Sequence, residues 1–306
     1  MLKYRLFFGT LMTVVFTAIV IFDGWMDGSL SVSIADDKPV QGTILGILIA
    51  VLIILAQLEF SNLAAARNLM IFTPVSTIAS ILLAGTWYWP QLLMTMDDGR
   101  WMMDVPRASS LVPLIPLFVS AFALLGLLLY QYACYGATAV LANCGANCFS
   151  IIYLGLLSGF VLAIRIDFGL WPLLMFVFVV KSSDIGAYAI GTLFGKHKFS
   201  PKISPAKTWE GTSAAAATAM IVAFIFAASF DIMVWWSAVI FGFCFAFIAQ
   251  VGDLVESMIK RDAEQKDSAN KVPGYGGILD IVDSPLVAAP FAYLFFMLTV
   301  ARASSP

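Results

Sequence analysis

The sequence predicts an all-α, polytopic integral membrane protein with about nine transmembrane helices. Hydrophobic residues occupy 61% of the 306 positions, charged residues occupy only 12%, and the mean hydropathy is +0.92. Soluble domains are usually about half apolar and about a quarter charged, and a soluble fold of this size could not bury so much apolar surface. The bilayer is therefore the expected solvent for most of the chain.

Long apolar runs support this fold class. A membrane-spanning helix needs about 20 mostly apolar residues, and about nine runs approach or exceed that length. The first run follows Lys3 and Arg5 and has no small-residue cleavage site after it, so we interpret it as a span rather than a signal peptide. The predicted spans are 6–22, 42–58, 69–89, 109–132, 139–164, 168–190, 212–230, 232–258 and 284–301.

The distribution of basic residues predicts the orientation of these spans. With the N-terminus in the cytoplasm, 12 of the 17 Lys and Arg residues fall on the cytoplasmic side. The acidic cluster of Asp23, Asp27, Asp36 and Asp37 then falls outside, as does the C-terminus. We therefore expect an integral protein of the bacterial cytoplasmic membrane, with any active site on the cytoplasmic side.

Two polar segments, at 181–211 and 253–283, interrupt the apolar sequence and are both predicted on the cytoplasmic side. They contain the residues that are the best candidates for binding or catalysis. We therefore divide the chain into N-terminal transmembrane helices of unclear role at 1–135 and a C-terminal catalytic region at 136–306, which carries both polar segments.

Composition argues against several other functions. The four cysteines lie in or beside apolar runs, and although Cys144 and Cys148 could share a helix face, no histidine lies near them, which favours packing over a metal or disulfide site. The single histidine, His197, is flanked by lysines, which favours a solvated surface over a catalytic base. No basic domain or RNA-binding motif is present, so we expect no nucleic-acid partner.

The second polar segment places carboxylates at the ends of two predicted helices. Asp253, Glu256 and Lys260 are three or four residues apart and therefore share one helix face. Asp280 and Asp283 repeat this spacing at the start of the last helix. Ionisable residues this close to a span are functional candidates, and Mg²⁺ is typically held by one or two carboxylates plus substrate phosphates.

A glycine cluster precedes the last predicted helix, in the run Pro273-Gly274-Tyr275-Gly276-Gly277. Glycine has no Cβ, so the backbone there could approach a ligand closely, and amides before a helix N-terminus favour anions. A plain turn would explain the same glycines, and Asp280 would also suit a helix N-cap. Nearby basic side chains would equally suit a solvated face that binds anionic lipid headgroups. These basic residues are Lys260, Arg261, Lys266 and Lys271.

The first polar segment carries a second candidate site. Asp184 interrupts an otherwise apolar run. Ser204 and Pro205 match an N-cap followed by proline at the first helical position. Lys207 and Thr208 would then lie in the first turn, where a basic side chain and backbone amides could bind phosphate. An ordinary helix start would explain the same pattern.

Together, the two segments resemble the hallmarks of the phosphatidate cytidylyltransferase (CDP-diacylglycerol synthase) family. The gapped match covers about 100 residues in the correct order and is highly specific, whereas the first 135 residues match only as hydrophobic spans. The matching runs are Asp184-x-Gly186-Ala187-Tyr188…Phe194-Gly195-Lys196…Ser204-Pro205-x-Lys207-Thr208-x-Glu210-Gly211 and Ser257-x-x-Lys260-Arg261…Lys266-Asp267…Pro273-Gly274-Tyr275-Gly276-Gly277-x-x-Asp280-x-x-Asp283-Ser284.

Two positions depart from the pattern that this resemblance leads us to expect. The family usually has histidine where this chain has Tyr275, and arginine where it has Ile281. Tyrosine can still form hydrogen bonds but is no base near neutral pH, and Ile281 removes a charge. If either family residue were indispensable, this chain would be inactive or altered in substrate. The retained aspartates and lysines favour an active enzyme.

The resemblance implies transfer of CMP from CTP to phosphatidate, which gives CDP-diacylglycerol and pyrophosphate. On this basis we expect Asp253 and Asp280 to bind Mg²⁺ with support from Asp283 and Asp184, and a second cation is compatible with two-metal chemistry. Expected catalytic residues are Asp253, Asp280, Lys207, Lys260 and Arg261. Expected substrate-binding residues are Ser204, Thr208, Lys266, Lys271, Gly274, Tyr275, Gly276 and Gly277.

The expected partners are CTP, phosphatidate and the lipid bilayer, and a homodimer would be compatible with a helical membrane enzyme. Three other interpretations stay open. The chain could be another CTP-using lipid enzyme, such as a polyprenol kinase or a CDP-ether-lipid synthase, or a catalytically altered relative. It could also be a transporter for an anionic solute, although transporters often carry internal repeats and none is visible here.

Overall fold

The computed structural model of the chain describes residues 2–30, 38–97, 112–200, 204–265, 268–269 and 276–300. Within these residues it confirms an all-α polytopic membrane protein, whose strands form one two-stranded hairpin. Eight helical stretches of the described residues are long and apolar enough to cross a membrane, and one of them is the continuous run Val140–Phe168. The chain forms two compact units, an N-terminal unit mainly of Leu6–Ile166 and a C-terminal unit mainly of Asp167–Ser304. The proposed catalytic division at 135/136 stays a prediction.

The described part of the N-terminal unit is built mainly from helices. Its elements in chain order are α1 (Leu2–Met26), α2 (Thr43–Ala65), α3 (Thr73–Ala84), a 3-10 turn (Gly85–Trp87), α4 (Tyr88–Asp97), a second 3-10 turn (Val112–Leu114), α5 (Ile115–Tyr135), α6 (Val140–Ser150), a π-helical turn (Ile151–Leu156) and α7 (Leu157–Phe168).

The predicted third span, at 69–89, does not form one long helix. Instead α3 has 12 residues and is followed directly by the 3-10 turn that starts at Gly85. The Trp89 side chain folds back on this turn, so that a Cβ on Gly85 would lie 2.5 Å from the indole ring. The predicted count of nine spans is therefore not confirmed.

A buried ionic triad ties three helices of the N-terminal unit together. Arg165 on α7 donates to Asp23 Oδ2 at 3.1 Å and to Asp27 Oδ2 at 2.6 Å, and all three side chains are buried. Asp23 Oδ1 also accepts a hydrogen bond from Ile44 N at 2.8 Å and so caps α2, whose own N-cap residue, Gly42, has no side chain. These two aspartates belong to the predicted acidic cluster, and the other two lie outside the described residues.

The π-helical turn and the first turn of α7 pack against α3 through glycines. A Cβ on Gly155 would lie 2.7 Å from Ser80 Cα, and one on Gly159 would lie 3.2 Å from the Ala84 carbonyl oxygen. One turn earlier, Asn147 Oδ1 accepts a hydrogen bond from Phe72 N at 2.7 Å, at the start of α3. Close backbone approach through glycine is a common means of helix association in membranes.

The C-terminal unit consists of four long helices and the hairpin. They are α8 (Leu170–Phe194), β1 (Lys198–Ser200), β2 (Ser204–Thr208), α9 (Trp209–Phe230), α10 (Trp235–Asp262) and α11 (Leu279–Thr299). Successive helices run antiparallel, and each packs against its neighbours, while α8 also contacts α10 and α11. The ends of α8 and α10 and the starts of α9 and α11 therefore meet at the same end of the unit.

Small and aromatic residues hold these four helices close. A Cβ on Gly242 of α10 would lie 2.5 Å from Met220 Cα on α9, and one on Gly252 would lie 2.9 Å from Ser284 Cα on α11. Further along the contact with α11, Phe241 of α10 stacks on Phe296 with ring centroids 5.1 Å apart. The polar end of α10 is thus held firmly against the start of α11.

The predicted N-cap at Ser204 is wrong. Residues Ser204–Thr208 form strand β2, which pairs antiparallel with β1 through Lys198↔Thr208 and Ser200↔Ser204. The N-cap of α9 is Thr208, which has an extended backbone and accepts a hydrogen bond from Gly211 N at 3.2 Å. Lys207 therefore projects from a strand instead of a first helical turn.

Candidate active site

Three carboxylates converge where α10 ends and α11 begins. Oxygens of Asp253, Glu256 and Asp283 all lie within 4.8 Å of one another. Glu256 and Asp283 are buried, whereas the side chain of Asp253 is 41% exposed. The spacing of three residues on α10 puts Asp253 and Glu256 on one face, and the tight packing of Gly252 against α11 brings Asp283 to them.

Glu256 has one carboxylate oxygen engaged and one without a hydrogen-bond partner. Its Oε2 pairs with Lys260 Nζ at 2.5 Å. Its Oε1 is buried and has no hydrogen-bond partner within the described part of the chain. Leaving a buried acceptor unsatisfied costs about 1–3 kcal/mol, and more for a charged group. This oxygen is therefore available to a ligand.

Lys260 links this trio to Asp280 and the loop that precedes α11. Its Nζ also pairs with Asp280 Oδ1 at 2.8 Å. Asp280 Oδ2 accepts hydrogen bonds from Gly277 N at 2.7 Å and from Ser268 N at 3.2 Å. Asp280, predicted as a metal ligand, therefore lies outside the trio. Its carboxylate instead binds backbone amides from two positions in the loop that precedes α11.

Strand β2 delivers a second lysine to the cluster. Lys207 Nζ lies 2.7 Å from Asp253 Oδ2 and donates to the Gln250 carbonyl oxygen at 2.9 Å. The side chain of Lys207 is only 11% exposed. The hairpin therefore positions an ammonium group directly beside the most exposed carboxylate of the trio.

Helix α8 completes the charged surroundings. Lys181 Nζ lies 3.7 Å from Asp184 Oδ2 and donates to the Ile281 carbonyl oxygen at 2.7 Å. The Asp283 carboxylate is within electrostatic range of Lys181, Asp184 and Asp253. The cluster therefore draws on four elements of the unit: α8, β2, α10 and α11.

The charges of this cluster do not balance. When ionised, five carboxylates face three ammonium groups, which leaves an excess of two negative charges in a largely buried place. Uncompensated buried charge is strongly unfavourable, so the arrangement suits a divalent cation. The carboxylates are Asp184, Asp253, Glu256, Asp280 and Asp283, and the ammonium groups are those of Lys181, Lys207 and Lys260.

Other predicted site residues have different surroundings. Arg261 is exposed and donates weakly to the Gln265 carbonyl oxygen at 3.5 Å, and Ser204 pairs with β1. Thr208 is buried and caps α9. Gly276 has a φ of +99°, in the left-handed region that favours glycine. Four further predicted residues lie outside the described residues: Lys266, Lys271, Gly274 and Tyr275.

Glu256 and Glu210 are not among the predicted site residues. Glu256 shares a helix face with Asp253, so its spacing was the available signal. Glu210 in the first turn of α9 accepts hydrogen bonds from Lys196 N at 3.2 Å and His197 Nδ1 at 2.6 Å, and so fixes the entry to the hairpin. The side chain of His197 is 78% exposed, as expected for a surface position.

Comparison with known proteins gives consistent matches. The model of the "Cytidylyltransferase family" matches residues 3–299. A phosphatidate cytidylyltransferase of Haemophilus influenzae is 44% identical over 131 residues, which are 40% of this chain and 46% of that protein. One of Bacillus subtilis is 36% identical over 205 residues, 65% of this chain and 76% of that protein. The alignment with a relative from Mycobacterium tuberculosis H37Rv, 40% identical over 129 residues, spans 42% of this chain and 39% of that protein.

Proposed function

The chain belongs to the cytidylyltransferase family, and from this premise we propose that it is a phosphatidate cytidylyltransferase, which transfers CMP from CTP to phosphatidate. The observation that carries the proposal is the convergence of Asp253, Glu256 and Asp283 beside Lys207 and Lys260. Carboxylates that can hold a cation, next to ammonium groups that can meet phosphates, are what nucleotidyl transfer requires.

The donor set fits Mg²⁺. Its three members are carboxylates, the hard oxygen ligands that Mg²⁺ prefers, and Glu256 Oε1 is a buried acceptor without a hydrogen-bond partner in the described residues. Asp253, Glu256 and Asp283 would hold the ion. When bound, Mg²⁺ would neutralise phosphate charge that the lysines alone cannot offset. Asp280 and Asp184 lie next to the trio, and a second cation there is compatible with two-metal chemistry.

The reaction needs alignment and charge neutralisation more than a strong base. An oxygen of the phosphatidate phosphate forms a bond to the α-phosphorus of CTP, and the bond from that phosphorus to the bridging β-phosphate oxygen breaks, so pyrophosphate leaves. A phosphate monoester is already an anion, so tyrosine in place of the family's histidine at position 275 is tolerable. Lys207 and Lys260 are positioned to exchange carboxylate contacts for phosphate contacts.

The charge distribution supports a cytoplasmic active site. Nine of the 17 Lys and Arg residues lie in segments 181–211 and 253–283, which meet at one end of the C-terminal unit. The connection at the opposite end, 231–234, has none. By the positive-inside rule the site end faces the cytoplasm, where CTP is dissolved. Phosphatidate would enter laterally, with its acyl chains still between helices.

The test is a transfer assay with purified protein in detergent. Radiolabelled CTP is incubated with phosphatidate and Mg²⁺, and lipid-extractable label is measured. We expect label that requires both phosphatidate and Mg²⁺ and that disappears in Asp253→Asn. The matched control is Asp231→Asn, the same chemical change at the α9 C-cap, where the left-handed backbone suits asparagine. Absence of CDP-lipid under every condition, or label only with an alcohol acceptor, would overturn the assignment.

A further inference from the structure

Lys181 is a lysine near the middle of an apolar helix. It lies in α8, 11 residues beyond the first residue Leu170 and 13 before the last residue Phe194. Ionisable residues inside membrane spans are costly and usually mark a pathway or a site. A lysine that merely snorkels would extend its ammonium group along the helix to the headgroups.

The ammonium group of Lys181 instead ends on another helix. Lys181 Nζ donates to the carbonyl oxygen of Ile281 at 2.7 Å, in the first turn of α11. It also lies 3.7 Å from Asp184 Oδ2, and its charge acts on Asp283. Lys181 therefore bridges α8 and α11 at the level of the carboxylate cluster.

The same contact lies on a helix that has no cation of its own. Position 281 is isoleucine, and α11 carries no Lys or Arg between Leu279 and Thr299. Lys181 brings an ammonium group from α8 to the backbone of that very residue. We propose that Lys181 is a positioning residue of the active site, which supplies from α8 the positive charge missing at position 281 of α11. This inference rests on the function proposed above.

The chemical consequence follows from the charge balance. When all five carboxylates are ionised, the cluster with Lys181 has an excess of two negative charges, and without Lys181 the excess would be three. A more negative cluster binds a divalent cation more tightly but repels the phosphates of both substrates. Loss of Lys181 should therefore tighten metal binding and slow CMP transfer, which a loss of stability alone would not do.

The experiment compares four purified proteins: wild type, Lys181→Met, Ile281→Arg and the double variant. Mn²⁺ binding is titrated by the electron paramagnetic resonance signal of the free ion, without nucleotide or lipid. We expect Lys181→Met to bind Mn²⁺ about fivefold more tightly and to transfer CMP at least roughly tenfold more slowly. The double variant should return to within about twofold of wild type in Mn²⁺ affinity and regain most of the activity, because the charge is restored from the other helix.

Two controls and one alternative variant keep the outcome decisive. Lys38→Met removes an exposed lysine of the N-terminal unit and should change neither readout. Lys181→Arg should retain both. If Lys181→Met does not elute as a single species, Lys181→Gln is used instead, both alone and combined with Ile281→Arg.

Each result either supports or overturns the proposal. Wild-type Mn²⁺ affinity and activity in Lys181→Met would show that this lysine is not part of the site. If Lys181→Arg keeps both properties but Ile281→Arg does not restore them in the double variant, the contact made from position 181 matters. A charge at position 281 would then not replace it, and the proposed supply of charge to α11 would be wrong. If wild type binds Mn²⁺ but makes no CDP-lipid, the enzymatic assignment fails, yet the Mn²⁺ titration still decides the role of Lys181. If wild type neither binds Mn²⁺ nor reacts, both proposals fail.

Discussion

Both units of the molecule contain charged clusters within membrane-spanning helices, but the clusters differ in what they leave unsatisfied. In the N-terminal triad, every carboxylate oxygen of Asp23 and Asp27 accepts at least one hydrogen bond, from Arg165, from backbone amides or from Ser29. The group left over there is a donor, Arg165 Nη1, which has no partner in the described residues. In the C-terminal cluster the group without a partner among the described residues is an acceptor, Glu256 Oε1.

The two clusters also differ in access. The side chains of Asp23 and Asp27 are 2% and 7% exposed, whereas that of Asp253 is 41% exposed. A closed and nearly balanced cluster can only hold helices together. An open cluster with excess negative charge and a spare acceptor can take up a cation and then phosphates. In this chain, the cluster with the spare acceptor is therefore the one that is suited to bind a cation.

The largest expected effect would come from breaking the closed cluster. Arg165→Met leaves two buried aspartates without their cation, and removal of one partner from a buried ion pair typically costs about 3–5 kcal/mol. We expect most of the protein to aggregate or to unfold at a clearly lower temperature, as measured by size-exclusion chromatography after heating in detergent. Adding Asp23→Asn and Asp27→Asn should restore part of the stability. A fully stable Arg165→Met protein would show that the triad is dispensable.

A smaller loss, in activity alone, should come from the open cluster. Glu256→Gln retains the shape of the side chain but removes one charge from the trio, and we expect CMP transfer to fall by about 10²–10³-fold with no loss of thermal stability. Asp27→Asn is the same chemical change in the closed cluster. It should lower stability while each folded molecule remains active. Equal effects of the two variants on stability and activity would erase the distinction between the clusters.

The smallest effect should come from the hairpin that presents Lys207. Thr208→Ala removes the cap of α9, and such a loss costs about 1 kcal/mol. Thr208 is adjacent to Lys207, and CMP transfer depends on the precise position of that lysine. CMP transfer should therefore also fall about two- to fivefold. Thr208→Ser keeps the hydroxyl and should retain both properties. An unchanged melting temperature in Thr208→Ala would argue against the capping role.

The composition predicts the fold class because a preference for lipid over water depends on the whole chain. The spacing on α10 predicts that Asp253 and Glu256 share a helix face. Contacts between residues that are far apart in the chain leave no pattern in the sequence around either residue. Arg165 pairs with aspartates 142 and 138 residues away, so Asp23 and Asp27 resemble a solvated acidic loop. Lys181 donates to a backbone carbonyl 100 residues away, an acceptor that leaves no mark in sequence.

Two local patterns were also ambiguous. Ser204-Pro205 fits a helix start in sequence, but the pairing of β2 with β1, a contact between strands, moves the start of the helix to Thr208. The predicted span at 69–89 has enough apolar residues for one helix. In the folded chain this span is divided into α3 and a 3-10 turn, and Trp89 packs closely against Gly85 at the point of division.

The π-helical turn Ile151–Leu156 has a consequence for how this chain can vary in evolution. It lies between Asn147, which caps α3, and Arg165 of the buried triad. Each residue of a regular helix advances the direction of its side chains by about 100°. Deletion of a single residue from this turn would therefore rotate Arg165 away from its aspartates while Asn147 stayed in place. Substitutions in the segment, except at Gly155, which packs directly against the backbone of Ser80, should be tolerated more readily than any change in its length.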